Sequence, residues 1–79
     1  MSVTLRYKII EALRADASGN IAKAKANIEV YLENPVGIGE HPDVLGAIQE
    51  QLDIIAHEEE RIEVLGKHFT YENSGNKQW

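Results

Sequence analysis

The sequence predicts an all-α protein, an antiparallel hairpin of two long amphipathic helices. Apolar residues recur every three or four positions in both halves of the chain, which is the period of one helix face. Between the halves lies a segment of about eight residues that contains Pro35, Gly37 and Gly39, residues that stop a helix and permit sharp turns. The chain has 79 residues, of which 43% are hydrophobic, so one small globular domain is expected.

The first helix is expected over about residues 3 to 33. The cluster from Asp16 to Asn20 has the composition of a turn and interrupts the helix pattern. One interior glycine costs only about 1 kcal/mol relative to alanine, whereas a turn should reset the phase of the apolar face. The phase does not change, which favours one continuous helix; two shorter helices hinged at Gly19 are the alternative. The apolar face consists of Leu5, Ile9, Leu13, Ala17, Ile21, Ala24, Ile28, Tyr31 and Leu32.

The second helix is expected over about residues 42 to 66. Pro42 suits the first helical turn, and Asp43 places negative charge where the helix dipole favours it. The preceding residues 34 to 41 form the loop, and a connection this short makes the neighbouring helices antiparallel. The hairpin thus covers residues 1 to 69, and the polar, aperiodic residues 70 to 79 are expected to form a flexible tail. The apolar face consists of Leu45, Ile48, Leu52, Ile55, Ile62, Leu65 and Phe69, with one polar interruption at Glu59.

Self-association is expected because a lone hairpin leaves much of each apolar face in water. A domain this small usually needs a disulfide, a metal or a partner chain, and this chain has no cysteine. Two hairpins packed as in a coiled coil form a four-helix bundle in which every apolar face has neighbours. We therefore expect a homodimer, and a tetramer as the second choice of oligomeric state. Glu59 either lies at the edge of the seam with its charge in water or sets the register or number of chains.

Charge is distributed unevenly along the chain. The net charge is −5, but residues 1 to 34 carry five bases and four acids, whereas residues 43 to 66 carry one base and seven acids. Nucleic-acid binding is not expected, because Lys and Arg contacts to phosphate supply most of that affinity. The asymmetry predicts instead that Lys23 and Lys25 attract the acids of the second helix, at about 0 to 1 kcal/mol for each exposed pair.

No targeting or membrane-spanning segment is expected. The first eight residues have no apolar core and no small-residue cleavage site, and no run approaches the roughly 20 apolar residues that cross a bilayer. We therefore expect a cytoplasmic protein without a membrane partner.

The candidate catalytic and metal sites are weak. Asp53, His57 and Glu60 have four- and three-residue spacings that are compatible with metal ligation. The zinc-protease helix motif, however, needs a second histidine where Arg61 stands. A solvated acidic face explains these residues better, so no metal ligand, cofactor or catalytic residue is assigned and the protein is expected not to be an enzyme. The alternative function is a ligand or metal site formed between subunits around His57.

The leading hypothesis is a small non-enzymatic interaction or assembly protein. Its apolar faces need partners, and one helix is strongly acidic. The predicted interaction surface is an acidic flank made of Glu58, Glu59, Glu60 and Glu63.

One stretch of the sequence resembles a known family. Residues 21 to 32, IAKAKANIEVYL, followed by residues 34 to 43, NPVGIGEHPD, are similar to small helical proteins encoded by marine tailed bacteriophages, including those that infect cyanobacteria. The likeness covers about residues 21 to 69, and residues 1 to 20 match less well. The family has no assigned activity, so the resemblance implies a viral origin and a helical hairpin but transfers no site residue. The location would then be the host cytoplasm, and the partner a phage or host protein.

Overall fold

The computed structural model describes residues 3–33 and 43–69, and these residues form two α-helices. Helix α1 spans Val3–Glu33 and helix α2 spans Val44–His68. The helices pack against each other as a hairpin, and the described residues contain no strand. The predicted all-α hairpin is therefore confirmed. The predicted loop, residues 34 to 41, and the predicted tail, residues 70 to 79, lie outside the described residues.

Helix α1 is continuous through the turn-like cluster in its middle. A Cβ atom added at Gly19 would meet no other atom within 4 Å, so this glycine does not mark a close approach of another chain segment. The Asn20 side chain donates hydrogen bonds to the carboxylates of Asp16, at 3.5 Å, and of Glu58 on α2, at 3.3 Å. Asn20 is thus engaged without bending the backbone into a turn. The alternative of two helices hinged at Gly19 is wrong.

Helix α2 begins two residues later than predicted, and Asp43 is its N-cap rather than a residue of the first turn. Asp43 Oδ1 accepts a hydrogen bond of 2.8 Å from the backbone N–H of Gly46. The Asp43 carbonyl accepts a second one, of 3.1 Å, from the N–H of Ala47. The aspartate therefore pairs an amide that a helix N-terminus otherwise leaves without a partner.

The other end of α2 lies two residues beyond the predicted one, at His68. The N–H of Phe69 donates to the Leu65 carbonyl at 2.9 Å, which extends helical hydrogen bonding past Gly66. Lys67 and His68 occupy the last turn, where the helix dipole favours positive charge.

The core of the hairpin follows a seven-residue spacing. The buried hydrophobic residues are Ile10, Ala17 and Ala24, and the two alanines are 2% and 1% exposed. Positions seven apart stay close to one line along a helix, which is the geometry of helices that wind around each other. The small side chains of Ala17 and Ala24 let the two helices approach closely. On α2, Ile48, Ile55 and Ile62 have the same spacing and are half-buried.

The apolar face predicted for α1 is confirmed at Ala17 and Ala24 but was wrong in the first half of the helix. It began with Leu5, Ile9 and Leu13, which are 59%, 51% and 52% exposed, and it omitted Ile10. A run of four-residue steps advances about 40° around the helix at each step, because an α-helix has about 3.6 residues per turn. The run therefore leaves the contact line, whereas seven-residue steps stay on it. On α2, Leu45 and Leu52 were also predicted to lie on the apolar face, but they are 75% and 51% exposed.

Candidate interaction surface

Two hydrogen-bonded pairs of polar side chains cross the helix interface. Asn20 Nδ2 donates to Glu58 Oε2 at 3.3 Å, and Asn27 Nδ2 donates to Gln51 Oε1 at 3.1 Å. Asn27 lies seven residues after Asn20 on α1, whereas Gln51 lies seven residues before Glu58 on α2, so the helices are antiparallel. The partly buried pair of Asn20 and Glu58 favours one register, because a shift would leave the buried carboxylate without this donor, whereas the pair of Asn27 and Gln51 is exposed to water.

Glu58 is the one charged side chain that is buried among the described residues, with 8% exposure. Its Oε2 atom accepts the hydrogen bond from Asn20, whereas its Oε1 atom is buried without a hydrogen-bond partner in the hairpin. The prediction that Glu58 belongs to an exposed acidic flank is therefore wrong. Glu59, predicted to interrupt the apolar face, is exposed instead. Glu58, and not Glu59, is the charged residue of α2 in the interface, seven residues after Gln51 and seven before Leu65.

The predicted attraction between the lysines of α1 and the acids of α2 is absent. In the part of the chain that the structure describes, neither Lys23 nor Lys25 forms an ion pair. Arg14 Nε lies 3.8 Å from Glu11 Oε2, but this pair lies within α1 and on its surface. The hydrogen bonds of Asn20 and Asn27 do join polar side chains across the helix interface.

An apolar groove lies where the first half of α1 meets the end of α2, with a volume of about 560 Å³. A second hollow of about 380 Å³ adjoins it and shares Leu13 and Leu65 with it. The apolar groove is lined by Leu5, Arg6, Ile9, Ile10, Leu13, Leu65 and Phe69, and the adjoining hollow also by His57, Glu60, Arg61 and Val64.

A polar groove of about 410 Å³ lies further along the hairpin. It is lined by Asn20, Lys23, Ala24, Asn27, Gln51, Ile54 and Glu58.

Both grooves lie on one side of the hairpin, which we call the groove face. Positions seven apart on a helix differ by only about 20° in direction. The residues that line the grooves repeat with this spacing: Leu13, Asn20 and Asn27 on α1, and Leu65, Glu58 and Gln51 on α2. The groove face is therefore apolar toward Leu5 and Phe69, and polar toward Asn27 and Gln51.

The three other residues of the predicted acidic flank are exposed on α2. Glu59 and Glu63 are four residues apart and Glu60 and Glu63 are three apart, so the three carboxylates are neighbours on the helix surface. The exposed acidic flank thus consists of Glu59, Glu60 and Glu63.

The residues considered for a metal site do not form one within the hairpin. Among residues 3–33 and 43–69 there is no group of three or more His, Cys, Asp or Glu side chains that could hold a metal ion. His57 is engaged elsewhere, because its Nε2 atom lies 3.2 Å from a guanidinium nitrogen of Arg61 one turn away.

Neither of the described helices combines the length and the apolar composition that crossing a membrane requires.

The described residues define a two-helix hairpin with polar pairs in its seam and an apolar groove at one end. No protein-family model, curated protein or solved structure matches the chain. The surface of the hairpin is therefore the feature that bears on its function.

Proposed function

We propose that the protein is a small non-enzymatic interaction protein that acts as a homo-oligomeric helical bundle, with a homodimer as the basic unit. The observation that supports this proposal is the distribution of large hydrophobic side chains. In the described part of the chain, eleven of them are exposed, whereas the buried hydrophobic residues are Ile10, Ala17 and Ala24. Exposed apolar patches of more than a few hundred Å² are rare on monomeric proteins and mark interaction sites.

The energy of covering the apolar groove is of the same size as the cost of bringing two chains together. Leu5, Ile9, Leu13 and Phe69 are each about half exposed, and full burial of such a side chain contributes about 1.5 to 3 kcal/mol. Covering the exposed half of all four contributes about 3 to 6 kcal/mol per chain, or about 6 to 12 kcal/mol for two chains. The cost of association is about 4 to 15 kcal/mol. Groove burial alone is therefore comparable to this cost, and additional contacts decide the affinity.

Analytical ultracentrifugation tests the proposal directly. We expect a mass of twice 8.8 kDa at tens of micromolar protein, falling toward that of one chain on dilution. A mass of 8.8 kDa throughout that range would overturn the proposal.

The second part of the proposal is that the exposed acidic flank, Glu59, Glu60 and Glu63, engages a basic surface of another protein. The resemblance to phage proteins suggests a phage or host protein in the cytoplasm of the infected cell. Three adjacent carboxylates raise the association rate with a basic partner and make it sensitive to salt.

Affinity capture from infected-host lysate tests this second part with two charge-reversed variants. One variant changes Glu59, Glu60 and Glu63 to lysine. The matched control changes three exposed acids of α1, Glu11, Glu29 and Glu33, to lysine, so the net charge is the same in both. We expect the first variant to lose proteins that wild type and control retain at low salt. If both variants recover the same proteins, the flank is not the binding surface.

A further inference from the structure

We propose that two copies of the chain dock through their groove faces so that equivalent helix ends lie at the same end of the dimer, an arrangement we call same-end docking. Lys23 of each copy then lies beside Glu58 of the other. The inference rests on the proposed self-association. It adds the contact face, the relative orientation of the copies and one intermolecular pair.

Two features select the groove face as the contact surface. The first is the apolar groove, whose concave shape between two helices accepts the side chains of another helix. The second is Glu58 Oε1, which is buried in the polar groove and has no hydrogen-bond partner in the hairpin. A buried carboxylate oxygen without a donor is costly, so an occupant that brings a donor to this position gains specific affinity.

The size of the face fits a second copy. Helix α2 has 25 residues and is therefore about 37 Å long, and two adjacent helices are together about 20 Å wide. The groove face thus covers about 750 Å², and a standard stable interface buries about 800 Å² on each partner.

The polarity of the face determines the orientation of the copies. A two-fold axis parallel to the helices places the apolar groove on the apolar groove and the polar groove on the polar groove. A two-fold axis perpendicular to the helices through the middle of the face places Leu5 and Phe69 of one copy against Asn27 and Gln51 of the other. The second arrangement buries against hydrocarbon the amide donors and acceptors that the hydrogen bond between Asn27 and Gln51 leaves unpaired, which is unfavourable. The first arrangement is also a four-helix bundle in which every helix has antiparallel neighbours.

The register of the hairpin then places Lys23 near Glu58 of the second copy. Asn20 lies opposite Glu58 within one hairpin, and a parallel two-fold axis preserves these heights between copies. Lys23 is three residues further along α1, a rise of about 4.5 Å, and it lines the polar groove. A lysine side chain spans this distance, and Lys23 makes no ion pair within the described hairpin, so its ammonium group can supply a donor to the Glu58 carboxylate of the second copy. Because Oε1 is not exposed, the Glu58 side chain has to turn toward the groove to make this contact.

Distances between spin labels test the orientation, and the absence of cysteine in the chain permits single-cysteine labelling. Lys8, Ala15 and Glu29 are exposed and, being seven or fourteen residues apart, share the side of α1 away from the groove face. Same-end docking predicts similar label-to-label distances for all three variants, because the symmetry axis is parallel to the helix. In a dimer, distances at the outer sites that exceed the distance at Ala15 by about 10 Å would overturn the proposed orientation and leave self-association intact. A monomeric mass would overturn both.

A matched pair of leucines tests the contact face. Leu13, in the apolar groove, and Leu52, on the outer side of α2, are 52% and 51% exposed. We expect Leu13→Glu to weaken the dimer at least about tenfold, and Leu52→Glu to leave its dissociation constant within about twofold. Circular dichroism confirms that each variant is helical. A larger effect of Leu52→Glu than of Leu13→Glu would show that the groove face is not the contact surface. A dimer that forms only after deletion of residues 70–79 would show that the groove face is not free in the full chain.

Charge-neutral variants test the pair itself. Lys23→Gln and Glu58→Gln should each weaken the dimer about tenfold, and the double variant should be no weaker than either one. Lys25→Gln is the control, because Lys25 is exposed on the same helix but does not line the polar groove. Additive effects of the two substitutions would refute the contact between Lys23 and Glu58.

Discussion

Ala24→Leu is the substitution that most directly tests the packing of the hairpin. Ala24 is 1% exposed, and it lies between Asn20 and Asn27, whose side chains make the hydrogen bonds that cross the interface. The larger side chain has to enter the helix interface or the polar groove that Ala24 lines together with Asn20 and Asn27, so it should displace both amides and break both hydrogen bonds.

The expected loss is a large part of the total stability. Overpacking of a close-packed site costs about 1 to 3 kcal/mol. The hydrogen bond between Asn27 and Gln51 contributes about 0.5 to 1.5 kcal/mol, and the one to the Glu58 carboxylate about 1.5 to 3 kcal/mol. The combined loss is about 3 to 7 kcal/mol. A folded domain of this length has about 4 to 12 kcal/mol in all.

Urea unfolding followed by circular dichroism measures the loss, with Ala26→Leu as the matched control. Ala26 is exposed on the same helix. Leucine is nearly as good a helix former as alanine, so the control should change the free energy of unfolding by less than about 0.5 kcal/mol. Equal stabilities of the two variants would refute the close approach of the helices at Ala24.

Three further substitutions test individual features, each through the free energy of unfolding. Gly19→Ala should raise it by about 1 kcal/mol, because the added methyl group meets open space within a continuous helix; a loss would indicate a hinge there. Asp43→Ala should lower it by about 0.5 to 2 kcal/mol through loss of the N-cap, and no change would mean that the cap is dispensable. Ile55→Ala should lower it more than Leu52→Ala, because Ile55 is half-buried and Leu52 is 51% exposed; the opposite order would contradict the observed interface.

The interior residues of the hairpin were only partly predictable. Ala17 and Ala24 were on the predicted apolar face, but Ile10 and Glu58 were not assigned to the interface. The missing signal was the seven-residue spacing of the polar pairs, Asn20 with Asn27 and Gln51 with Glu58, which places all four residues along one seam. Amides at this spacing, on two helices expected to pack, could have indicated which faces meet.

The sequence by itself determined the fold class, and the unbroken phase of the apolar residues favoured a continuous first helix over a hinge at Gly19. A helical period, a connection with proline and glycine, and an aspartate at the start of the second helix are local features, and local features are enough to form two helices. The tertiary structure alone decided which side of each helix faces the other, because apolar residues lie on more than one side of both. Close approach at Ala17 and Ala24, together with hydrogen bonding of Asn20 to Glu58, selects one pairing of sides. That pairing leaves Leu5, Ile9 and Leu13 at the surface, since the small residues allow a closer approach of the helices than the leucines would.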